Sequence, residues 1–328
     1  MDLNALQEIG SQIVPIAKDT IPELITAFIT TMFLNKNVQS KEYLNKLRNK
    51  KFFEVAEGLL ENGHITYLEF YKCNNFLKIA KLADKYKKTG TKEENRVNFD
   101  FDWFVRFFEA SGNISNEQMQ ELWARVLAGE VNRPGTFSLR TIETLNNLTH
   151  KEAVAFSEIA NLAMHTSDGM WFVVSEGSSA FNLDEVTDLI IPNNKIRLLQ
   201  ECGLLNPLKD DMLVWYSTKE IKSPLNIDEN FIISNDKIIL LFHTRDFVKR
   251  PQKKIKKAQS IFFPYYPLTE AGRQLLKIID NESEYNPILN LGEAINNHSK
   301  SSARCVTAHE IGKIEENLVF YDPENLLC

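Results

Sequence analysis

Basic residues concentrate in one segment of the chain, RDFVKRPQKKIKKAQ at 245–259. Clustered lysines and arginines neutralise nucleic-acid phosphates, and the counterions they release make such binding depend on salt. The side chains that would supply these contacts are Lys249, Arg250, Lys253, Lys254, Lys256 and Lys257. A run of like charges also occurs as a solvated loop, so this segment leaves both interpretations open.

The segment PNNKIRLLQEC is a second candidate for contact with nucleic acid. Its apolar spacing, followed by Gly203, predicts a helix from Asn194 to Cys202. Lys195 and Arg197 on that helix could contact phosphates or base edges, whereas Glu201 would oppose a polyanion. The segment therefore resembles a recognition helix in pattern, with a mixed charge.

A set of acidic and basic residues further along offers the chemistry of a metal-dependent nuclease. In such enzymes carboxylates hold magnesium and a lysine stabilises developing charge. Asp211, Glu220 and Lys222 supply these residue types, at a loose spacing that chance also produces. The six histidines form no close pair, and the sequence contains no glycine-rich phosphate loop, nucleophile elbow or dinucleotide fingerprint. We therefore expect binding rather than catalysis, with no catalytic residues, no metal and no cofactor.

Composition favours a folded protein of more than one domain. The 328 residues exceed what one core usually accommodates, and the 43% hydrophobic and 25% charged fractions are those of globular proteins. A net charge of -6 provides no general attraction to nucleic acid or to anionic membranes, so such binding needs a local patch. The four cysteines are widely separated, the start of the chain lacks a basic signal region, and the apolar stretch 24–34 is too short to span a bilayer. We expect a cytoplasmic protein and no membrane partner.

Hydrophobic patterning divides the chain into four parts and predicts a mainly helical, α+β protein. Helical periodicity fills a region at 1–95 that ends in a charged linker, and a helical core at 96–168. From 169 to 280 β-branched and aromatic runs alternate with two helices, and the order of CGLL, a strand pair and YPLTEAGRQLL predicts a winged-helix-like α+β domain. The remainder, 281–328, is a tail in which two apolar segments predict a hairpin.

The helical core carries the most distinctive motif, which we call the LAGE-to-RT motif and which runs from Trp123 to Thr141. It joins two helices through Arg-Pro-Gly, Ser115 with Gln118 predicts the start of the first, and Ser138 is expected to cap the second. Its residues with candidate roles are Trp123, Arg125, Glu130, Arg133, Pro134, Gly135, Ser138 and Arg140. The arginines could hold a phosphate or carboxylate, or could pair with Glu130 and tie down helix carbonyls around the turn.

This motif resembles the core of an uncharacterised bacterial family, in the pattern LWAxxLAGExxxPGxFSxRT. The residues that carry the resemblance are Trp123, Ala124, Leu127, Ala128, Gly129, Glu130, Pro134, Gly135, Phe137, Ser138, Arg140 and Thr141. Segments LLQECGLL and YPLTEAGRQL extend the resemblance over about 100–280. The resemblance implies no activity or residue role, although the family is loosely similar to abortive-infection proteins of phage defence.

Three hypotheses about function follow from the sequence. The first is a non-catalytic interaction or sensor protein, in phage defence, whose partner is another protein or a second copy. The second is a nucleic-acid-binding regulator that uses the basic segment 245–259 and the helix before Gly203. The third is a nuclease effector that depends on Asp211, Glu220 and Lys222.

Overall fold

The structure is a computed structural model, and it describes ten ranges of the chain. They are residues 51–86, 100–174, 191–215, 222–227, 232–235, 237–244, 260–279, 287–298, 304–315 and 317–327. Contacts divide the chain into two compact units, residues 1–150 and 151–328. None of the helices in the described ranges combines the length and apolar character that a bilayer crossing requires.

The described part of the first unit consists of helices joined by short turns. They are α1 (Phe52–Glu61), α2 (Tyr67–Ala83), a 3-10 turn (Asp84–Tyr86), α3 (Phe101–Ser111), α4 (Glu117–Asn132) and α5 (Leu139–Asn147). A capping box starts α2, since Thr66 accepts the N–H of Glu69 and the Glu69 carboxylate accepts the N–H of Thr66. For the described residues of the first unit, the helical character predicted from the sequence is confirmed.

Side-chain caps fix where the motif helices begin. Asn116 caps α4 by accepting the N–H of Met119 at 3.0 Å, so the predicted cap at Ser115 is wrong by one residue. The amide oxygen of Asn116 provides the acceptor that the sequence pattern assigned to the neighbouring hydroxyl. Ser138 caps α5 by accepting the N–H of Thr141 at 3.2 Å, which confirms that prediction.

An aromatic cluster forms the core of the first unit. The Phe76 ring of α2 meets Phe104 and Phe108 of α3 edge to face, at centroid distances of 5.9 and 5.0 Å. Phe107 stacks on Trp103 and meets Trp123 edge to face, both at 5.1 Å. Such pairs contribute about 0.5–1.5 kcal/mol each beyond the area they bury, so this cluster holds α2, α3 and α4 together.

The second unit combines helices with one antiparallel sheet, so the predicted α+β class is confirmed. Its helices are α6 (His150–Ala160), which begins at the last residue of the first unit, α7 (Asn193–Glu201), α8 (Glu270–Leu276) and α9 (Pro287–His298). Its strands are β1 (Met164–Thr166), β2 (Trp171–Val174), β3 (Asp210–Trp215), β4 (Leu225–Asn226), β5 (Ile232–Ser234), β6 (Ile238–Thr244), β7 (Ser260–Pro267), β8 (Arg304–Glu315) and β9 (Leu318–Tyr321).

The strands follow the order β3-β7-β2-β1-β5-β6-β8-β9-β4. Strand β7 is paired with β3 on one side and with β2 on the other, and both pairings are antiparallel. Strand β6 is paired with β5 and β8, and β8 continues into a hairpin with β9. Strands distant in the sequence are therefore neighbours in the sheet, above all β3 and β7.

Both faces of the central strand β6 are buried. Ile238, Leu240 and Phe242 face a core that includes residues of α9, such as Ile288 and Leu291. The alternate residues Ile239 and Leu241 face a second cluster formed with β4, β5 and β9. Because successive side chains of a strand point to opposite faces, a continuous apolar run such as IILLF is expected in a strand covered on both sides.

Candidate functional site

Helix α7 has a buried apolar side and an exposed polar side. Ile196 and Leu199 point into the core and are 2% and 0% exposed. Asn193, Asn194 and Arg197 are exposed, and one helical face carries both 193 and 197 because they are four residues apart. An arginine and amides at the start of a helix are residues that can contact phosphates and base edges.

Lys195, predicted as a nucleic-acid contact, forms an ion pair within the protein. Its ammonium forms an ion pair and hydrogen bond with the carboxylate of Glu158 in α6. The two side chains are 37% and 51% exposed, so water screens the pair and its contribution to stability is modest. This contact links α6 to α7 and leaves Arg197 as the cation that α7 presents to solvent among the described residues.

The end of α7 is anchored to the junction of β7 and α8. Gly203 has a positive φ of 72°, which lets the chain reverse after the helix. The hydroxyl of Thr269 donates to the carbonyl of Gly203 at 2.6 Å, and the Thr269 N–H donates to the carbonyl of Leu204 at 3.0 Å. The N–H of Asn206 donates to the carbonyl of Pro267 at 2.8 Å. These bonds join two parts of the chain that are far apart in sequence.

Close packing at Gly272 tightens this anchor. A Cβ atom at Gly272 would lie 2.3 Å from the carbonyl oxygen of Leu204, which is closer than any real contact allows. Only glycine therefore permits α8 to approach the backbone that follows α7 at this distance. The sequence contained no signal for the role of Gly272.

Strand β3 follows α7 along the chain and pairs with β7 at the end of the sheet, and we call this pair the β3–β7 ribbon. Trp215 at the end of β3 is paired with Ser260 at the start of β7. In the sequence the basic segment 245–259 immediately precedes β7. The segment itself lies outside the described residues, and so do Lys249, Arg250, Lys253, Lys254, Lys256 and Lys257.

The predicted nuclease residues lie only partly within the described structure. Asp211 lies in β3 opposite Pro264, Lys222 is exposed before β4, and Glu220 lies outside the described residues. Cys73 and Cys202 are poor nucleophiles, because burial raises the pKa of both thiols to about 12. Both therefore stay protonated near neutral pH.

Glu130 of the LAGE-to-RT motif is buried and holds the turn that follows α4. Its carboxylate accepts the N–H of Gly135 at 2.5 Å and the N–H of Phe137 at 2.9 Å. Burial raises the pKa of this carboxyl group, and the backbone donors Gly135, Phe137 and Thr136 partly oppose the increase. The structure thus differs from the interpretation in which an arginine pairs with Glu130, because backbone N–H groups occupy its oxygens.

The other residues of this motif also pack or turn the chain. Trp123 is fully buried, and the Arg125 guanidinium lies over the Tyr86 ring, 4.9 Å from its centroid. A Cβ atom at Gly129 would lie 2.7 Å from the Phe137 ring, so this glycine lets the turn fold back onto α4. These contacts make the buried side of the motif a helix junction.

The outer side of the motif is polar. Arg133, Gly135 and Arg140 are exposed, and Pro134 is half-buried. Gly135 has a positive φ of 82°, which a residue with a side chain rarely adopts. Within the described residues the two arginines have no ion-pair partner. The motif therefore combines a structural interior with cations on its surface.

The comparisons with known proteins give a family and no activity. The model of a family described as a protein of unknown function, DUF2806, matches residues 64–290, which is more than half of the chain. This range includes the whole LAGE-to-RT motif and runs through α7, the β3–β7 ribbon and α8. No curated protein and no solved structure matches the chain.

Proposed function

The chain belongs to DUF2806, a family of proteins of unknown function, and we propose that its second unit is a nucleic-acid-binding regulator in which α7 is the recognition helix. The proposal rests on one arrangement: a helix with an exposed polar amino-terminal half, followed along the chain by strand β3 of the β3–β7 ribbon. In helix-turn-helix proteins the amino-terminal residues of the second helix contact base edges.

The order of the elements supports a winged-helix-like interpretation of this unit. Along the chain α6 is followed by β1, β2, α7 and β3, and in the nine-stranded sheet β7 lies between β3 and β2. A winged-helix domain needs three adjacent strands, and β3, β7 and β2 are adjacent at one end of this sheet. Between β3 and β7 the chain adds β4, β5 and β6, so the loop of the ribbon is much longer than a simple wing.

Charge supports the same surface. Arg197 and the amides of Asn193 and Asn194 are exposed on α7, and Glu201 is the acidic residue at its far end. The basic segment 245–259 stands between β6 and β7 in the sequence, and its lysines would add phosphate contacts. Because the whole chain has a net charge of -6, binding of this kind has to come from such a local concentration.

Fluorescence anisotropy with a labelled mixed-sequence DNA duplex, at low and at physiological salt, tests the proposal. We expect Arg197→Glu to weaken binding, and the joint change of Lys253, Lys254, Lys256 and Lys257 to Glu to abolish it and flatten the salt dependence. Arg140→Glu is the matched control, because Arg140 is equally exposed but lies in the first unit.

Single-stranded DNA and RNA of the same length would distinguish the preferred nucleic acid. Absence of salt-sensitive binding to all three polymers would refute the proposal. Binding that Arg140→Glu weakens as strongly as Arg197→Glu would move the contact surface to the LAGE-to-RT motif.

The interaction-protein and phage-defence hypotheses stay predictions beside this proposal. They are tested by the light-scattering mass of the purified protein and by plaque counts in a bacterial host that expresses it. A mass above that of one chain would indicate a second copy as partner. Unchanged plaque counts over a broad panel of phages would count against a defence role.

A further inference from the structure

We propose that a cavity in the second unit binds a small aromatic carboxylate. The cavity is partly open to solvent, has a volume of about 230 Å³ and lies between the ends of α6 and α8, the start of β2 and the residues Asn235 and Lys237. The described residues that line it are Ala160, Ala163, Trp171, Asn235, Lys237, Leu276 and Ile279. This inference is independent of nucleic-acid binding.

The walls of this Trp171 cavity are suited to one aromatic ring. Two alanines leave space where larger side chains would fill it, and Trp171, Leu276 and Ile279 offer apolar surface. A cavity of about 150 Å³ with apolar walls is large enough for benzene, so 230 Å³ accommodates a ring with a small substituent. Trp171 also contacts His165, and the centroids of the two rings are 4.7 Å apart.

The polar side of the cavity selects a negative substituent. Lys237 is exposed, and its ammonium has no ion-pair partner among the described residues. Its backbone is fixed, since its N–H donates to the Asn235 side chain at 3.2 Å and its carbonyl accepts the N–H of Ile311 at 2.9 Å. The Asn235 side chain also accepts the N–H of Ile238 at 2.9 Å, so it bonds the backbone of Lys237 and of Ile238.

An aromatic carboxylate satisfies both parts of the cavity at once. Its ring would lie against Trp171, Leu276 and Ile279, and its carboxylate would pair with Lys237 at the opening. A neutral aromatic amide of the same size would keep the apolar contacts and lose the ion pair. A partly exposed pair of this kind corresponds to a preference of about two- to fivefold for the carboxylate.

Fluorine NMR of 4-fluorobenzoate and of 4-fluorobenzamide, each titrated with the full chain in the absence of nucleic acid, measures this preference. We expect line broadening for both probes and tighter binding of the benzoate. Lys237→Gln should remove the preference while the amide still binds, whereas Lys151→Gln, at an exposed lysine outside the cavity lining, should leave it unchanged.

A second variant tests the place of binding. Ala160→Leu should fill the cavity and weaken both probes by at least about tenfold, and its circular dichroism should show that the variant is folded. Absence of binding by the wild-type chain at millimolar probe overturns the proposal. So does unchanged binding by a folded Ala160→Leu variant, or an unchanged preference in Lys237→Gln.

Discussion

The carboxylate of Glu130 accepts the backbone N–H of Phe137 across the turn of the LAGE-to-RT motif, at 2.9 Å. The indole N–H of Trp103 donates to the carbonyl of the same residue at 2.7 Å, so both polar groups of the Phe137 backbone are bonded to side chains from neighbouring helices. Buried backbone groups need such partners. The turn is therefore fixed by the side chains of α3 and α4.

Replacing Glu130 by glutamine should destabilise the first unit by about 1–3 kcal/mol, because the N–H of Gly135 and the buried N–H of Phe137 would face an amide that offers one acceptor oxygen. Urea unfolding monitored by tryptophan fluorescence measures the change. Glu121→Gln on the same helix is the control, with an expected change within about 0.5 kcal/mol, because its side chain is 33% exposed. Equal effects of the two substitutions would contradict a structural role for Glu130.

Gly272→Ala should destabilise the second unit by about 1–3 kcal/mol, because the new methyl group would overlap the carbonyl oxygen of Leu204. The backbone after α7 would then have to move, so the variant should also bind nucleic acid less tightly if α7 is the contact helix. Gly312→Ala provides the comparison, since its Cβ would lie 3.4 Å from the nearest atom. Thermal unfolding of the wild-type protein and the two variants measures the changes in stability. A Gly272→Ala variant that is as stable as the wild type would contradict this prediction.

Lys195 and Arg197 should behave differently although both are cations of α7. Lys195→Gln should cost at most about 1 kcal/mol of stability, and a double-mutant cycle with Glu158→Gln should assign that cost to their ion pair. Arg197→Gln should leave stability unchanged. It should also reduce by about one the slope of the logarithm of the binding constant against the logarithm of the salt concentration. A larger binding defect for Lys195→Gln than for Arg197→Gln would contradict the assignment.

His309 should make the stability of the second unit depend on pH. Burial lowers the pKa of its imidazole below the ordinary 6.5, and hydrogen bonds to the backbone of Asp322 and Asn325 together with the Asp322 charge partly oppose this. The Nδ1–H donates to the carbonyl of Asp322 at 3.1 Å, so Nε2 accepts from the hydroxyl of Thr307 at 3.1 Å in the neutral ring.

The direction of this pH dependence follows from whether the folded or the unfolded state binds more protons. The unfolded histidine takes up a proton at a higher pH than the folded one, so stability is fully present above pH 6.5 and falls as the pH drops towards the folded pKa. His309→Gln should lack this part of the pH dependence. Urea unfolding of both proteins between about pH 5 and 8 measures it, and parallel curves for the two would argue against a buried neutral ring.

Local signals in the sequence predict the ends of elements better than the contacts between them. Ser138 and Gly203 were identifiable because a cap and a positive φ depend on a few neighbouring residues. The role of Glu130 required knowledge of how the turn folds back, and the pair of Lys195 with Glu158 joins residues 37 positions apart. Gly272 gave no signal, because the backbone it approaches comes from a distant part of the chain.

The pairing of β3 with β7 also determines the order in which this unit can be completed during synthesis. Asp210 is paired with Tyr265, so α7 and β3 leave the ribosome well before the strand and the Thr269 anchor that hold them. Until then the apolar side chains Ile196 and Leu199 lack part of their packing. Contacts of such high sequence separation form slowly and leave apolar surface open to association. A nascent chain interrupted between β3 and β7 would therefore be a substrate for chaperones rather than a functional fragment.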